Sequence, residues 1–188
     1  MQKALLPLLS FVVLYSCKDN KTTTEPAATP MVKTATTTAD NKPPQAEFAD
    51  AKYTDMGKQM MMQMENGDVD KWVANFADNA VYSWSNGDSL AGKKAITDYW
   101  TNRRKNVIES LHFSNDIWLP IKVNTPQRGP DMPGVWLLNW YQVNVKYKNG
   151  KALQFWVHHD YHYNNDNKVD RTVMYIDRAP VNAAVGMK

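Results

Sequence analysis

The sequence predicts an α+β domain in which three N-terminal helices pack on the concave side of one strongly curved antiparallel sheet, leaving a cone-shaped cavity between the layers. Two observations point there. Apolar residues recur at spacings of three and four over Tyr53–Met64, Trp72–Phe76 and Ile96–Val107. From Leu111 onward, long alternating segments rich in Val and aromatic residues take over, punctuated by Gly, Pro and Asn.

Folded structure is expected from Glu47. Tyr53, Met56, Met60 and Met64 form one helical stripe with Met61 beside it, and the helix stops at Asn66-Gly67. So many methionines in one stripe suit a soft metal such as copper, but the spacing already fits a flexible core face. Gly67 accepts the left-handed helix end and Asp68 can cap the next helix, whose apolar face is Trp72, Val73 and Phe76. Ala80–Trp84 is aromatic and β-prone, Asn86-Gly87-Asp88 carries hairpin-turn chemistry, and Ser89–Ala91 forms the return strand. Gly92 ends the pair and opens a third helix carrying Ile96, Tyr99, Trp100, Arg103 and Val107 on one flank. Strands are expected over Leu111–Val123, Val135–Tyr147, Lys151–Tyr163 and Val169–Asp177, with turns at Asn149-Gly150 and Asn164–Asn167. Asn124–Gly134 holds three prolines and two glycines, so no strand runs through it, and it is long enough to cover a pocket mouth.

The Gly67-Asp68 break, Phe76-Ala77-Asp78-Asn79-Ala80 leading into a strand, Gly92-Lys93-Lys94-Ala95-Ile96 opening a helix and Asp177-Arg178-Ala179 after the last strand carry a resemblance. Together they resemble the SnoaL-like branch of the nuclear transport factor 2-like superfamily, over about three quarters of the chain. The resemblance implies the cone fold and, often, a dimer through the sheet. It does not assign a function, because the superfamily includes isomerases, dehydratases, cyclases, transport adaptors and non-catalytic binders. Carried over residue by residue, the oxyanion-hole tyrosine of the ketosteroid isomerases falls at Met60, their aspartate base at Trp84 and their second oxyanion-hole acid at His159. Methionine and tryptophan cannot perform those roles, and a missing base alone costs on the order of 10²–10⁴ in rate.

The chain has 188 residues, 43% of them apolar, enough for one domain and a tail. A formal charge of +3, with the basic residues scattered, points away from nucleic acid. Residues 1–17 combine Lys3, an apolar run from Ala4 to Leu14 too short to span a bilayer, and Leu14-Tyr15-Ser16-Cys17. This ending resembles a bacterial lipobox, with Cys17 as the lipidated first residue of the mature chain. Lys18 follows the cysteine where inner-membrane retention favours aspartate, so the resemblance implies an anchor in the outer membrane, on its periplasmic side or at the cell surface. Cys17 is the only cysteine, which excludes a disulfide, a thiolate nucleophile and cysteine-ligated zinc from the mature domain. Residues 18–46, rich in Thr, Ala, Pro and Lys, read as a flexible tether spanning about 30 Å, ahead of a domain over 47–188.

Strand alternation places Phe155, Val157, His159, Tyr161 and Tyr163 inward and Trp156, His158, Asp160 and His162 outward. Leu137, Asn139, Tyr141, Val143 and Val145, and then Thr172, Met174 and Ile176, turn inward by the same logic. Trp136, Trp140 and Trp156 on the outer face are a large aromatic area to leave wet, which argues for a homodimer through the sheet. Three chemistries compete. One is binding of a small apolar or aromatic molecule by Met60, Tyr82, Trp84, Trp100, Asn139, Tyr141, Tyr161 and Met174, with no cofactor. Another is acid–base catalysis by His159, as a cyclase, isomerase or dehydratase. The third is a metal on His158, Asp160 and His162, which needs help from His112 or Asp116 because three alternate strand residues span too far for one ion.

Overall fold

A computed structural model describes residues 42–127 and 132–186. Cys17, the apolar run before it and most of the tether lie outside these residues. The described chain opens with a short edge strand, β1 (Ala46–Phe48), which pairs antiparallel with β4 (Ile108–Val123). Ala46, assigned to the tether from composition, is thus the first residue of a strand. Three exposed residues carry no alternation for a sequence reading to detect.

Helix α1 (Lys52–Asn66) begins where the Asp50 carboxylate accepts the Lys52 amide hydrogen bond at 2.8 Å. It ends on Gly67 at φ 81°, the left-handed position only glycine takes without strain. Its buried stripe is Tyr53, Gly57, Met60 and Met64. At Gly57 the helix backbone touches the sheet: a Cβ there would fall 2.5 Å from Leu137 Cδ2 and 2.5 Å from Trp118 Cζ3. Asp68 does not cap α2 (Val69–Val73) as expected; its carboxylate instead takes the Lys71 ammonium at 2.9 Å. Then come β2 (Phe76–Trp84), β3 (Ser89–Ala91) and α3 (Lys93–Asn102), whose last turn widens into a π-helical turn over Arg103–Val107. Strands β4, β5 (Gly134–Tyr147), β6 (Ala152–Tyr163) and β7 (Val169–Tyr175) form a meander.

The seven strands lie in the order β1-β4-β5-β6-β7-β2-β3. All pairings are antiparallel except β2 with β7, so the expected antiparallel sheet is in fact mixed. Side-chain alternation reports the face a residue takes and not the strand's direction; here the long path through α3 and the meander returns β7 alongside β2 in the same sense. A second departure follows β7. Asp177 does not end a strand but caps a fourth helix, α4 (Arg178–Val185), accepting the Ala179 amide hydrogen bond at 2.9 Å, and Gly186 closes it at φ 74°. Three N-terminal helices are therefore joined by a C-terminal one.

Between helices and sheet, Phe76, Tyr82, Ile96, Leu137, Tyr147 and Val169 are fully buried. On the outer face the three tryptophans part company. Trp136 is buried, with its ring against His162 and its indole N–H donating to the Met132 carbonyl at 2.9 Å. Trp140 stacks on His158 with centroids 4.3 Å apart, and Trp156 stays 53% exposed.

The contact at Gly57 sets a prediction. Alanine gains about 1 kcal/mol of helix propensity over glycine, while overpacking costs about 1–3 kcal/mol against an indole ring that cannot fold away. Gly57→Ala should lower the urea midpoint, whereas Lys58→Ala on the exposed face of the same helix should leave it within error.

Candidate functional site

The cavity sits between the ends of α1, α2 and α3 and the far half of the meander, with α4 on its open side; its volume is about 110 Å³. Its inner wall is aromatic. Tyr82 packs against Trp84, Trp100 and His159 with centroids 4.9, 5.9 and 5.4 Å away, and Trp72 meets Trp100 edge-on at 5.9 Å. These tilted and edge-to-face contacts hold large rings at fixed angles, so the wall is preformed.

Its polar groups gather around His159, which is 1% exposed. The Tyr161 hydroxyl lies 2.7 Å from His159 Nδ1 and the Tyr141 hydroxyl 3.5 Å from the same nitrogen. With the Tyr161 hydroxyl donating, the imidazole carries its proton on Nε2, a buried atom without a hydrogen-bond partner among the described residues. Burial, helped by the charge of His158, lowers the imidazole pKa to about 3. Burial also raises the Tyr82, Tyr141 and Tyr161 hydroxyls above the usual phenol range. At neutral pH the inner wall is uncharged. Charge enters only on the open side, where Arg103 lies over the Tyr99 ring at 5.7 Å and Arg178 over Trp84 at 5.0 Å.

Neither a family model nor a curated protein matches the chain by sequence. Solved structures do match it in three dimensions. A candidate isomerase from Bacillus subtilis superimposes with a TM-score of 0.55 at 18% identity, over 72% of this chain and 93% of that one. A candidate polyketide cyclase from Xanthomonas campestris pv. campestris gives 0.56 at 13% identity, over 70% and 95%. A nuclear transport factor 2-like protein of unknown function from Burkholderia pseudomallei K96243 gives 0.55 at 11% identity, over 70% and 95%. This chain has the nuclear transport factor 2-like fold.

Within this nuclear transport factor 2-like domain, Tyr82, Trp84, Trp100, Tyr141, His159, Tyr161 and Met174 all line the cavity, as alternation and helical spacing place them. Met60 and Asn139 do not. Met60 lies in the core with its sulfur 3.9 Å from the Tyr163 hydroxyl, and the neighbouring Met61 and Met64 face the cavity in its place. One residue along a helix turns a side chain by about 100°, so a stripe read without its partners leaves the choice open. Asn139 points inward but below the cavity, donating to the Ile117 carbonyl at 3.0 Å beside an irregularity of β4 where Asn115 takes φ 54°. The described residues of Asn124–Gly134 line no part of the cavity, and residues 128–131, the middle of that loop, lie outside the described residues.

The outer row His158, Asp160 and His162 does not converge on a metal position. His158 Nε2 lies 2.8 Å from Asp160, while His162 Nδ1 lies 2.5 Å from Asp170 and its Nε2 donates to the Pro133 carbonyl at 3.1 Å. The suggested helpers lie elsewhere: His112 pairs with Glu65 and Asp116 accepts from the Trp118 indole. Among the described residues no cluster of three or more His, Cys, Asp or Glu is placed to hold an ion. Burial pushes the Asp160 carboxyl up to about 7 and lowers His158.

Sequence reasoning missed Arg178, Val181 and Asn182 because α4 was not foreseen, although Asp177 before Arg-Ala-Pro and Gly186 after Val185 are ordinary cap signals. A pH test follows from His159. Its folded pKa lies below the unfolded value near 6.5, so below that pH the unfolded chain takes up the proton first. The wild type should therefore lose stability relative to His159→Leu as pH falls from about 6.5 toward 3, and their difference should be flat above pH 7. Urea unfolding of both proteins at pH 4.5 and 7.5 measures the difference.

Proposed function

We propose that this chain is an exported lipoprotein, anchored through Cys17 in the outer membrane on its periplasmic side or at the cell surface, whose domain over 47–188 binds a small apolar or aromatic molecule in the cavity. The observation that carries the reading is the inner wall. It is built from rings fixed at steep angles, contains no carboxylate among the described residues, and holds His159, Tyr82 and Tyr161 in their neutral forms. Such a wall gains from taking the apolar surface of a ligand out of water and offers a few hydrogen bonds for orientation. The order of charge, apolar run, small residue and cysteine in residues 1–17 supports the anchor. Among the described residues no helix is long and apolar enough to cross a membrane.

A second reading is a cofactor-independent cyclase, isomerase or dehydratase using His159, favoured by its place in the cavity lining and by a buried Nε2 that has no hydrogen-bond partner among the described residues. Against it stands the chemistry of the group. An imidazole with a pKa of about 3 holds a proton poorly, and among the described residues no carboxylate pairs with it to stabilise the imidazolium. The homodimer belongs to this proposal as well: Ile117, Trp156 and Tyr175 are large apolar side chains left exposed.

Native mass spectrometry of the full chain, followed by organic extraction, should find one small apolar molecule per chain. Leu111→Trp, which fills the cavity from its wall, should fold and carry none. An enzyme would release a converted product that His159→Gln no longer makes, whereas a binder releases the molecule it took up. Trp156→Lys should shift the protein from dimer to monomer in sedimentation equilibrium, and Cys17→Ser should move it from the membrane to the soluble fraction.

A further inference from the structure

Arg103 is the odd residue in the cavity. Among the described residues the lining contains two guanidinium groups and no Asp or Glu. One of them, Arg178, is already answered: it pairs with the Asp88 carboxylate beyond the cavity. Arg103 has no carboxylate and no hydrogen-bond partner among the described residues, only the face of Tyr99. Burial raises the Tyr82 and Tyr147 hydroxyls that line the same space, and the Arg103 charge offsets a part of that rise. The backbone marks the position too, since α3 widens into its π-helical turn at Arg103. Such turns are rare and concentrate at functional sites. A half-buried cation over low-dielectric walls of otherwise neutral groups focuses a positive potential into the chamber.

Size narrows the choice further. A buried apolar void of roughly 150 Å³ holds one benzene ring, and this cavity has about 110 Å³ plus its open side. We propose that the molecule taken up is a small apolar carboxylic acid, a single ring or a short hydrocarbon body seated against Tyr82, Trp100 and Val157, with its carboxylate on Arg103. The inference rests on the reading of the cavity as a site for small apolar molecules, and adds the anionic group that reading leaves open. Arg103 then acts as the specificity-determining residue, because a charge-assisted guanidinium–carboxylate pair forms only with the ionised acid.

The test compares two probes of equal body, 3-phenylpropionate and 3-phenylpropanol, titrated into the full chain at pH 7.5 with the fluorescence of Trp72, Trp84 and Trp100 as the signal. The wild type should bind the acid about 10–100-fold more tightly than the alcohol, the range expected for a hydrogen bond to a charged group. Arg103→Gln should bring the acid down to the alcohol's affinity while leaving the alcohol unchanged. Lys105→Gln removes the same charge from the exposed side of the turn and should preserve the preference. Equal binding of acid and alcohol by the wild type, or a preference that survives Arg103→Gln, overturns the carboxylate assignment and leaves apolar binding standing. Failure of both probes to bind overturns the two together.

Discussion

The cavity exists because α1 is pinned to the sheet at one end and held away from it at the other. At Gly57 the helix has no side chain, and Trp118 and Leu137 come up against its backbone. A turn and more further along, Met61 and Met64 stand between helix and strands, and Trp72 and Trp100 close the space from the side. Interiors pack to near-crystalline density, so a void survives only where rigid groups cannot collapse into it. Here the rigid groups are rings locked edge to face from Trp72 through Trp100 to Tyr82, with Trp84 tilted against Tyr82. The close contact and the chamber are two ends of one wedge.

That wedge also sets the electrostatics. Strand β6 runs through the sheet's interior, so His159 and Tyr161 are carried into a dry place whichever residues surround them. Buried to 1% exposure and facing tyrosine hydroxyls rather than a carboxylate among the described residues, the imidazole stays neutral against the Tyr161 hydroxyl. The open side is different because α4 and the end of α3 bring arginines to it, with Asp88 neutralising one of them. A neutral chamber beneath a cationic rim selects for bodies without charge and for heads with negative charge.

Much of this was legible in the residues. Period-two alternation placed Val157, His159 and Tyr161 inward and Trp156 and His158 outward, because a strand offers only two faces and one of them must be covered. The site was harder wherever a position depends on a neighbour distant in sequence. Met60 and Met61 differ by a helix rotation that Trp118 and Leu137 decide through Gly57. Asn139 was drawn to a carbonyl exposed by the irregularity in β4, and His162 to Asp170 across a turn. Strand direction leaves no trace in alternation, so the parallel β2–β7 pair was invisible. Helix α4 was legible in its caps and was overlooked because the preceding strand already explained Asp177 as an ending.

The most direct measurement is the protonation of His159 in solution. Long-range ¹H–¹⁵N spectra of the histidine-labelled protein, recorded from pH 8 to 4, report which ring nitrogen holds the proton and when a second one arrives. A neutral binding chamber requires an Nε2–H imidazole whose signals do not titrate down to about pH 4. A His159 midpoint near 6.5 or above would contradict the account, since it would mean that the chamber is wet or carries a counter-charge, and a working base would then stand in it.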